Sequence, residues 1–333
     1  MKNMLRAVLV AAVMCVGLLA GCANTNQAAS ADAQEHKIKV VCATFPAYDW
    51  VMQVAGDRID DFEITYLMDS GVDLHSYQPS VQDIAKISDA DLFVYVGGES
   101  DGWAEDVVKA ASNSSLRTVN MMEVLGDRAV EEEVVEGMQA EEEEAEASAE
   151  GEEEPEYDEH VWLSLKNAQE LVDAIAVQLA DADSSHASEY SANAAAYKAK
   201  LAELDGAYES AVNAAAKKTV VFADRFPFRY LVDDYNLGYY AAFVGCSAET
   251  EASFETIAFL AQKVDELGLS NVLVIENSDE AIAKTVIANT QAKNQGILVM
   301  DSLQSVTAGD IASGKTYLGA MEGNLASLTA ALS

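Results

Sequence analysis

The sequence predicts an α/β protein: two doubly wound α/β lobes joined by one long rigid helix. Three observations predict it. From residue 37 onward, short β-rich runs alternate with helical runs, and such alternation gives parallel sheets wrapped by helices. Between residues 185 and 217 one apolar stripe keeps a three-to-four-residue spacing for far longer than an ordinary helix. The chain has 333 residues, half of them hydrophobic, which suits two domains at roughly 100–200 residues each.

The elements follow in order. Lys2 and Arg6 precede an apolar run over 7–20, the length of a signal-peptide core and short of the about 20 residues a spanning helix needs. It ends in Leu19-Ala20-Gly21-Cys22, which resembles the bacterial lipoprotein box. Residues 1–22 therefore read as a lipoprotein signal peptide ending at a lipidated Cys22, and 23–36 as a flexible tether. The first lobe spans 37–184. Its strands are expected at 39–44, 64–68 and 91–96, with a short helix started by Ser80 and Asp83 as a capping box. Residues 129–159 interrupt it. Within 131–159 there are 16 carboxylates and no Lys or Arg; like charges at that density resist packing, so a solvated loop is expected. It is either a plain charged loop or a low-affinity collector of cations.

The linking helix, 185–217, carries Tyr190, Ala194, Tyr197, Leu201, Leu204, Tyr208 and Val212 on one face and would span on the order of 45 Å. In the second lobe, 218–333, strands are expected at 219–223, 271–275 and 296–300. Residues 237–243 lead to a loop at Gly245-Cys246, and helices are expected at 254–267, 280–290 and 319–332.

Charge narrows the function classes. There are 20 Lys+Arg against 56 Asp+Glu, a net charge of −36; without residues 1–21 it is −38. Nucleic acid would be repelled, as would an anionic membrane surface. A cation is permitted, and a metal ion is the simplest one. The sequence shows no HExxH, no CxxC pair, no GxSxG and no phosphate loop.

With only 4 His in the chain, each can be weighed. His36 lies in the tether and His186 at the start of the long helix. His75 follows a strand, in Gly71-Val72-Asp73-Leu74-His75-Ser76-Tyr77-Gln78-Pro79. His160 stands where the acidic run meets the fold again. Asp224 and Asp301 follow the expected strands ending at 223 and 300, where open α/β sheets bind ligands. Two imidazoles and two carboxylates would suit a transition metal. Glu249, Glu251 and Glu276 are further cleft candidates. Cys42 and Cys246 are either a disulfide or two free thiols, a choice that turns on their Cα separation.

At these residues the sequence resembles the zinc- and manganese-binding lipoproteins that feed metal to ABC importers, the cluster A-I solute-binding proteins. The likeness is carried by Ala43-Thr44-Phe45-Pro46-Ala47-Tyr48-Asp49-Trp50, the His75 loop, the run from Ile84 to Phe93, His160-Val161-Trp162-Leu163 and the stretch from Cys246 to Ser253. It implies two α/β lobes bridged by one long helix, with metal in the interlobe cleft. His75 and His160 match the family's first two ligands, and Asp301 matches the fourth. The third, usually His and sometimes Glu, falls in Ala223-Asp224-Arg225-Phe226-Pro227-Phe228-Arg229-Tyr230, which has no His. An ungapped match puts Arg225 there and one inserted residue puts Asp224 there; Glu251 is a further alternative. Asp224 is preferred because a guanidinium cannot ligate a cation.

The expected role is capture and delivery of a divalent metal to the permease and ATPase of an importer, by a protein held to the membrane through lipidated Cys22. Four ligands would close a tetrahedral site, so no catalysis is expected. Neutral His and ionised Asp are required, so acid should release the metal. Zinc is favoured over manganese by the Irving–Williams order, although the acidic loop lacks His. Two alternatives are a metal-stabilised surface adhesin and a metallohydrolase with Glu249 or Glu251 as general base.

Overall fold

The structure, a computed structural model, describes residues 37–139, 156–247 and 251–333. The expected signal segment with Cys22, the tether, residues 140–155 of the acidic loop and Glu249 lie outside the described residues.

Each lobe is built on a four-stranded parallel sheet. The first holds β1 (Ile38–Cys42), β2 (Phe62–Tyr66), β3 (Leu92–Tyr95) and β4 (Arg117–Asn120) in the order β2-β1-β3-β4. The second holds β5 (Thr219–Phe226), β6 (Gly238–Val244), β7 (Asn271–Ile275) and β8 (Gly296–Met300) in the order β6-β5-β7-β8. The two topologies are the same. In each, the chain runs to one neighbour and then crosses to the other side, which leaves a crevice at the carboxyl ends of the strands. All four residues of β3, Leu-Phe-Val-Tyr, are buried, as expected of a parallel strand covered on both faces.

The helices are α1 (Phe45–Ala55), α2 (Val81–Ser88), α3 (Gly102–Lys109), α4 (Met121–Leu125), α5 (Leu165–Ala182), α6 (Ala187–Ala214), α7 (Arg229–Asp234), α8 (Phe254–Glu266), α9 (Ala281–Asn289), α10 (Ala308–Ala312) and α11 (Tyr317–Ala331). The capping box at Ser80 and Asp83 is present. Helices α1, α3, α4, α5, α7 and α10 and strand β4 were not among the expected elements. Helix α1 buries Phe45, Ala47, Trp50, Val51, Val54 and Ala55, a pattern too apolar all round to show a period. Strand β4 reads Arg-Thr-Val-Asn with only Val119 buried.

Helix α6 is the expected strut. At 1.5 Å per residue its 28 residues run about 42 Å. It buries Tyr190, Ala194, Tyr197, Leu201, Leu204, Tyr208 and Val212, the stripe read from the sequence. Its first half belongs to the first lobe: Tyr190 packs edge-on to Phe62, and the Tyr197 hydroxyl donates to Asp49 Oδ2 at 3.3 Å. Its second half belongs to the other: Tyr208 stacks on Tyr235 and donates to the Met321 carbonyl at 2.6 Å. Helix α11 crosses back, with the Tyr317 hydroxyl donating to the Trp162 carbonyl at 2.6 Å. A single hydrophobic core runs through both lobes, joined by a smaller cluster under α8 and α9. Wide opening would have to break that core, so the fold favours small lobe movements.

Two local features shape the cleft. Strand β5 continues past Ala223, where an end was expected, through a register shift between Phe222 and Arg225. Such a bulge re-aims the side chains beyond it. The acidic segment also departs from a fully solvated loop, because its flanks pack. Glu131 bridges to Tyr157, Met138 is buried, and the Gln139 amide donates to the Ala242 carbonyl.

Candidate metal centre

His75 and His160 meet between the lobes. His75 sits in a 3₁₀ turn, Leu74–Ser76, after β2; Asp73 Oδ1 accepts from the His75 amide and fixes that turn. His160 opens a second 3₁₀ turn, Val161–Leu163, which leads into α5. That turn is locked by Trp162, fully buried, whose Nε1 donates to the Ser302 carbonyl of the second lobe at 2.9 Å. The two Nε2 atoms stand 3.2 Å apart. Two nitrogens bound to one tetrahedral zinc ion would stand about 3.3 Å apart.

The tautomers follow from the partners. His160 Nδ1 lies 3.0 Å from Asp158 Oδ1, which also accepts from the His160 amide. A carboxylate only accepts, so a ring hydrogen is on Nδ1, and Nε2 is the nitrogen turned to His75. His75 Nδ1 lies 2.8 Å from Ser100 Oγ and 3.6 Å from Glu159 Oε2. Glu159 is 3% exposed; its Oε1 accepts from the Ser100 amide, and its Oε2 has no hydrogen-bond partner. A cation placed between the rings would leave both hydrogens on Nδ1, each facing an acceptor. This is how metal-bound imidazoles are oriented.

The electrostatics of the two rings differ. Burial, with His160 and Arg225 nearby, pushes His75 down to about 3 and keeps it neutral. Burial also acts to lower His160, but Asp158, with Glu132 and Asp73 beyond it, more than offsets this and holds it above the usual imidazole range. Glu132 is pushed up to about 7 by burial and by Asp158.

Among the described residues, the group whose ligand atoms all lie within 4.8 Å of one another is His75, His160 and Cys246. Cys246 follows β6 and is a free thiol, as is the buried Cys42. The Cys246 amide donates to Glu132 Oε1 at 3.1 Å. Gly245 brings the turn this close: a Cβ there would lie 2.9 Å from His160 Cε1 and 3.0 Å from the Phe226 carbonyl oxygen. Asp224 and Asp301 are not in the group. Asp224 Oδ1 accepts from the Arg225 amide at 2.9 Å on the bulge. Asp301 holds Lys315 through Oδ2 and accepts from the Leu303 amide through Oδ1. Arg225 donates to Asp73 Oδ2 at 2.9 Å and to the Ser247 carbonyl at 3.3 Å. Glu276 accepts from Ser302, and Glu251 is exposed. His186 pairs with Asp183 at the foot of α6. Sequence reasoning missed Asp158, Glu159 and Ser100 as partners of the rings. The available signal was Asp158-Glu159-His160 itself, a ring with carboxylates just before it in the chain.

Two welded α/β lobes place an imidazole pair at the mouths of their strands. The family profile described as zinc-uptake complex component A, periplasmic (ZnuA), matches residues 40–331, and the chain belongs to that family. It is 31% identical over 320 residues to the zinc-binding lipoprotein AdcA of Streptococcus pneumoniae R6, covering 96% of this chain and 60% of that protein. It is 31% identical over 314 residues to the high-affinity zinc uptake system protein ZnuA of Bacillus subtilis, covering 94% of this chain and 93% of that one. The chain thus spans only about 60% of the length of the AdcA relative. Among solved structures, the Zn(II)-bound ZnuA-like domain of S. pneumoniae AdcA superposes with a TM-score of 0.68 at 29% identity, over 89% of this chain and 99% of that one. The metal-dependent lipoprotein YcdH of B. subtilis gives 0.71 at 26% identity, over 89% and 100%. Two laminin-binding proteins match at 24% identity and share the fold.

Proposed function

We propose that the protein is an extracytoplasmic zinc-binding lipoprotein. It would capture the ion between its lobes and deliver it to the permease and ATPase of an ABC importer, without chemical turnover. The observation that carries this reading is the pair of facing Nε2 atoms, 3.2 Å apart, one on the buried His160 ring and one on the half-buried His75 ring, with an acceptor beside each Nδ1. The zinc-uptake names of its relatives support zinc as the cargo. Lipidation at Cys22 would tether it to the membrane; among the described residues no helix is long and apolar enough to cross one.

His75 and His160 are proposed as the nitrogen ligands and Asp301 as a carboxylate ligand, exchanging Lys315 for the ion on binding. Asp224, expected as the third ligand, is a poorer fit, since the bulge turns it to the Arg225 amide. The welded core means that delivery uses a small lobe movement, as the long helix implies.

The test is isothermal titration of the purified chain with zinc and with manganese, beside His75→Ala. Tight zinc binding is expected, weakened by about 100-fold or more in the variant, beyond the about 10–100-fold typical of an outer-shell partner. Zinc binding that is absent, or indifferent to His75, would reject the reading.

A further inference from the structure

We propose that the Cys246 thiol supplies the third protein ligand to the ion gripped by His75 and His160, making this a soft-donor site for zinc-class ions that discriminates against manganese. The inference rests on the metal-binding reading above and adds the ligand that sets its selectivity.

Three independent features point to it. The Cys246 sulfur and one nitrogen of each ring already lie within 4.8 Å of one another; nitrogen and sulfur on one tetrahedral zinc would stand about 3.5 Å apart, so little adjustment is needed. The backbone is shaped for this approach, because Gly245 carries no Cβ where one would run into the His160 ring. The loops that carry the thiol and the His75 ring are tied together by Arg225, whose guanidinium cannot itself ligate a cation. Arg225 instead holds the Ser247 carbonyl, next to Cys246, and the Asp73 carboxylate, two residues before His75. It is therefore a positioning residue that ties the thiol's loop to the imidazole's loop. The buried Glu159 oxygen, with no hydrogen-bond partner and 3.6 Å from His75 Nδ1, adds negative charge waiting for a cation beside the pair.

The chemistry balances simply. The neutral thiol binds the ion as thiolate and its proton passes to solvent, one proton per ion, with no change of oxidation state. Thiolate suits zinc and other borderline or soft ions, whereas manganese prefers oxygen donors.

The experiment loads the full-length protein with cobalt(II), which adopts the same tetrahedral site and reports its ligands in the absorption spectrum. A sulfur-to-cobalt charge-transfer band in the near ultraviolet is expected, lost in Cys246→Ser while the visible ligand-field bands persist. Zinc should bind Cys246→Ser about 100-fold or more weakly, and zinc should shield Cys246 from alkylation in the unaltered chain. Ligand-field bands without the charge-transfer band in the unaltered chain would overturn the thiol assignment and leave the imidazole pair standing. An unaltered chain that binds neither cobalt nor zinc would overturn both. Because the first readout needs no variant, a poorly folding Cys246→Ser protein does not obscure the result.

Discussion

The two lobes share one topology and differ in what they place at the strand ends. In the first lobe, the loop after edge strand β2 carries His75, and the loop after β3 carries Ser100 and Asp101. In the second, the loop after the matching edge strand β6 carries Cys246, and the loop after β7 carries Asn277 and the exposed Asp279. The first lobe's loops bury Leu74, Tyr77 and Asp101, while Val72, Ser76, Gln78 and Glu99 stay exposed. The second lobe's loops past β7 stay wet and line an open cavity of about 470 Å³ with Asp73, Asp224 and Arg225. Parallel sheets supply the same crevice twice; the residues that fill it decide which half grips and which half closes.

The largest test of that comparison is the weld. Trp162 is fully buried, donates to Ser302 across the lobes and lies edge-on to His160. Trp162→Ala should cost about 3–5 kcal/mol, whereas Phe254→Ala on the 76% exposed start of α8 should stay within about 0.5 kcal/mol. Urea unfolding of both variants measures the contrast, and equal losses would mean that the lobes are not joined through Trp162.

The loop after β3 in the first lobe carries a pH signature through Asp101. Asp101 is 1% exposed. Burial raises it to about 6, with Glu159 adding to the rise, although the Val96 amide donates to it at 2.7 Å. A carboxyl whose folded value lies above its unfolded one binds more protons in the native state between the two. Stability therefore falls as pH rises from about 4 to about 6 and is flat above. The full drop is on the order of 3 kcal/mol. Asp101→Asn should remove this contribution, seen as a shallower fall of the melting temperature between pH 4 and pH 6, while the fall owed to Glu132 remains. A variant that keeps the native slope would place the titration elsewhere.

The smallest expected effect separates positioning from ligation. Arg225→Met removes the hydrogen bonds to the Ser247 carbonyl and to Asp73 Oδ2 and should weaken zinc binding by about 10–100-fold. The cobalt charge-transfer band should survive. Loss of that band with Arg225 would mean that the guanidinium holds the thiol in place outright, and unchanged affinity would remove it from the site.

Much of the fold was legible in the sequence because it rests on local periodicity. The stripe on α6 and strands β7 and β8 stand where the spacing put them. Helix α1 was not legible because it is buried on nearly every side, so no polar face marks its turn. Strand β4 was hidden by its three polar residues, which leave one buried apolar position and no alternation to read. The acidic run was read as wholly solvated. Its ends pack because Glu132, Asp158 and Glu159 each accept from a backbone amide, respectively those of Cys246, His160 and Ser100.

The sequence by itself determined the β/α alternation, the long strut, the surplus of negative charge and the two imidazoles worth watching. Each follows from composition or from periodicity along the chain. Tertiary structure alone decided which atoms face those imidazoles. A one-residue bulge in β5 turns Asp224 to a neighbouring amide and sends Arg225 to Asp73, while a glycine at 245 lets a thiol from another strand approach. Donor convergence depends on register and on backbone clearance between segments some 170 residues apart in the chain, and neither quantity is written in the order of the residues.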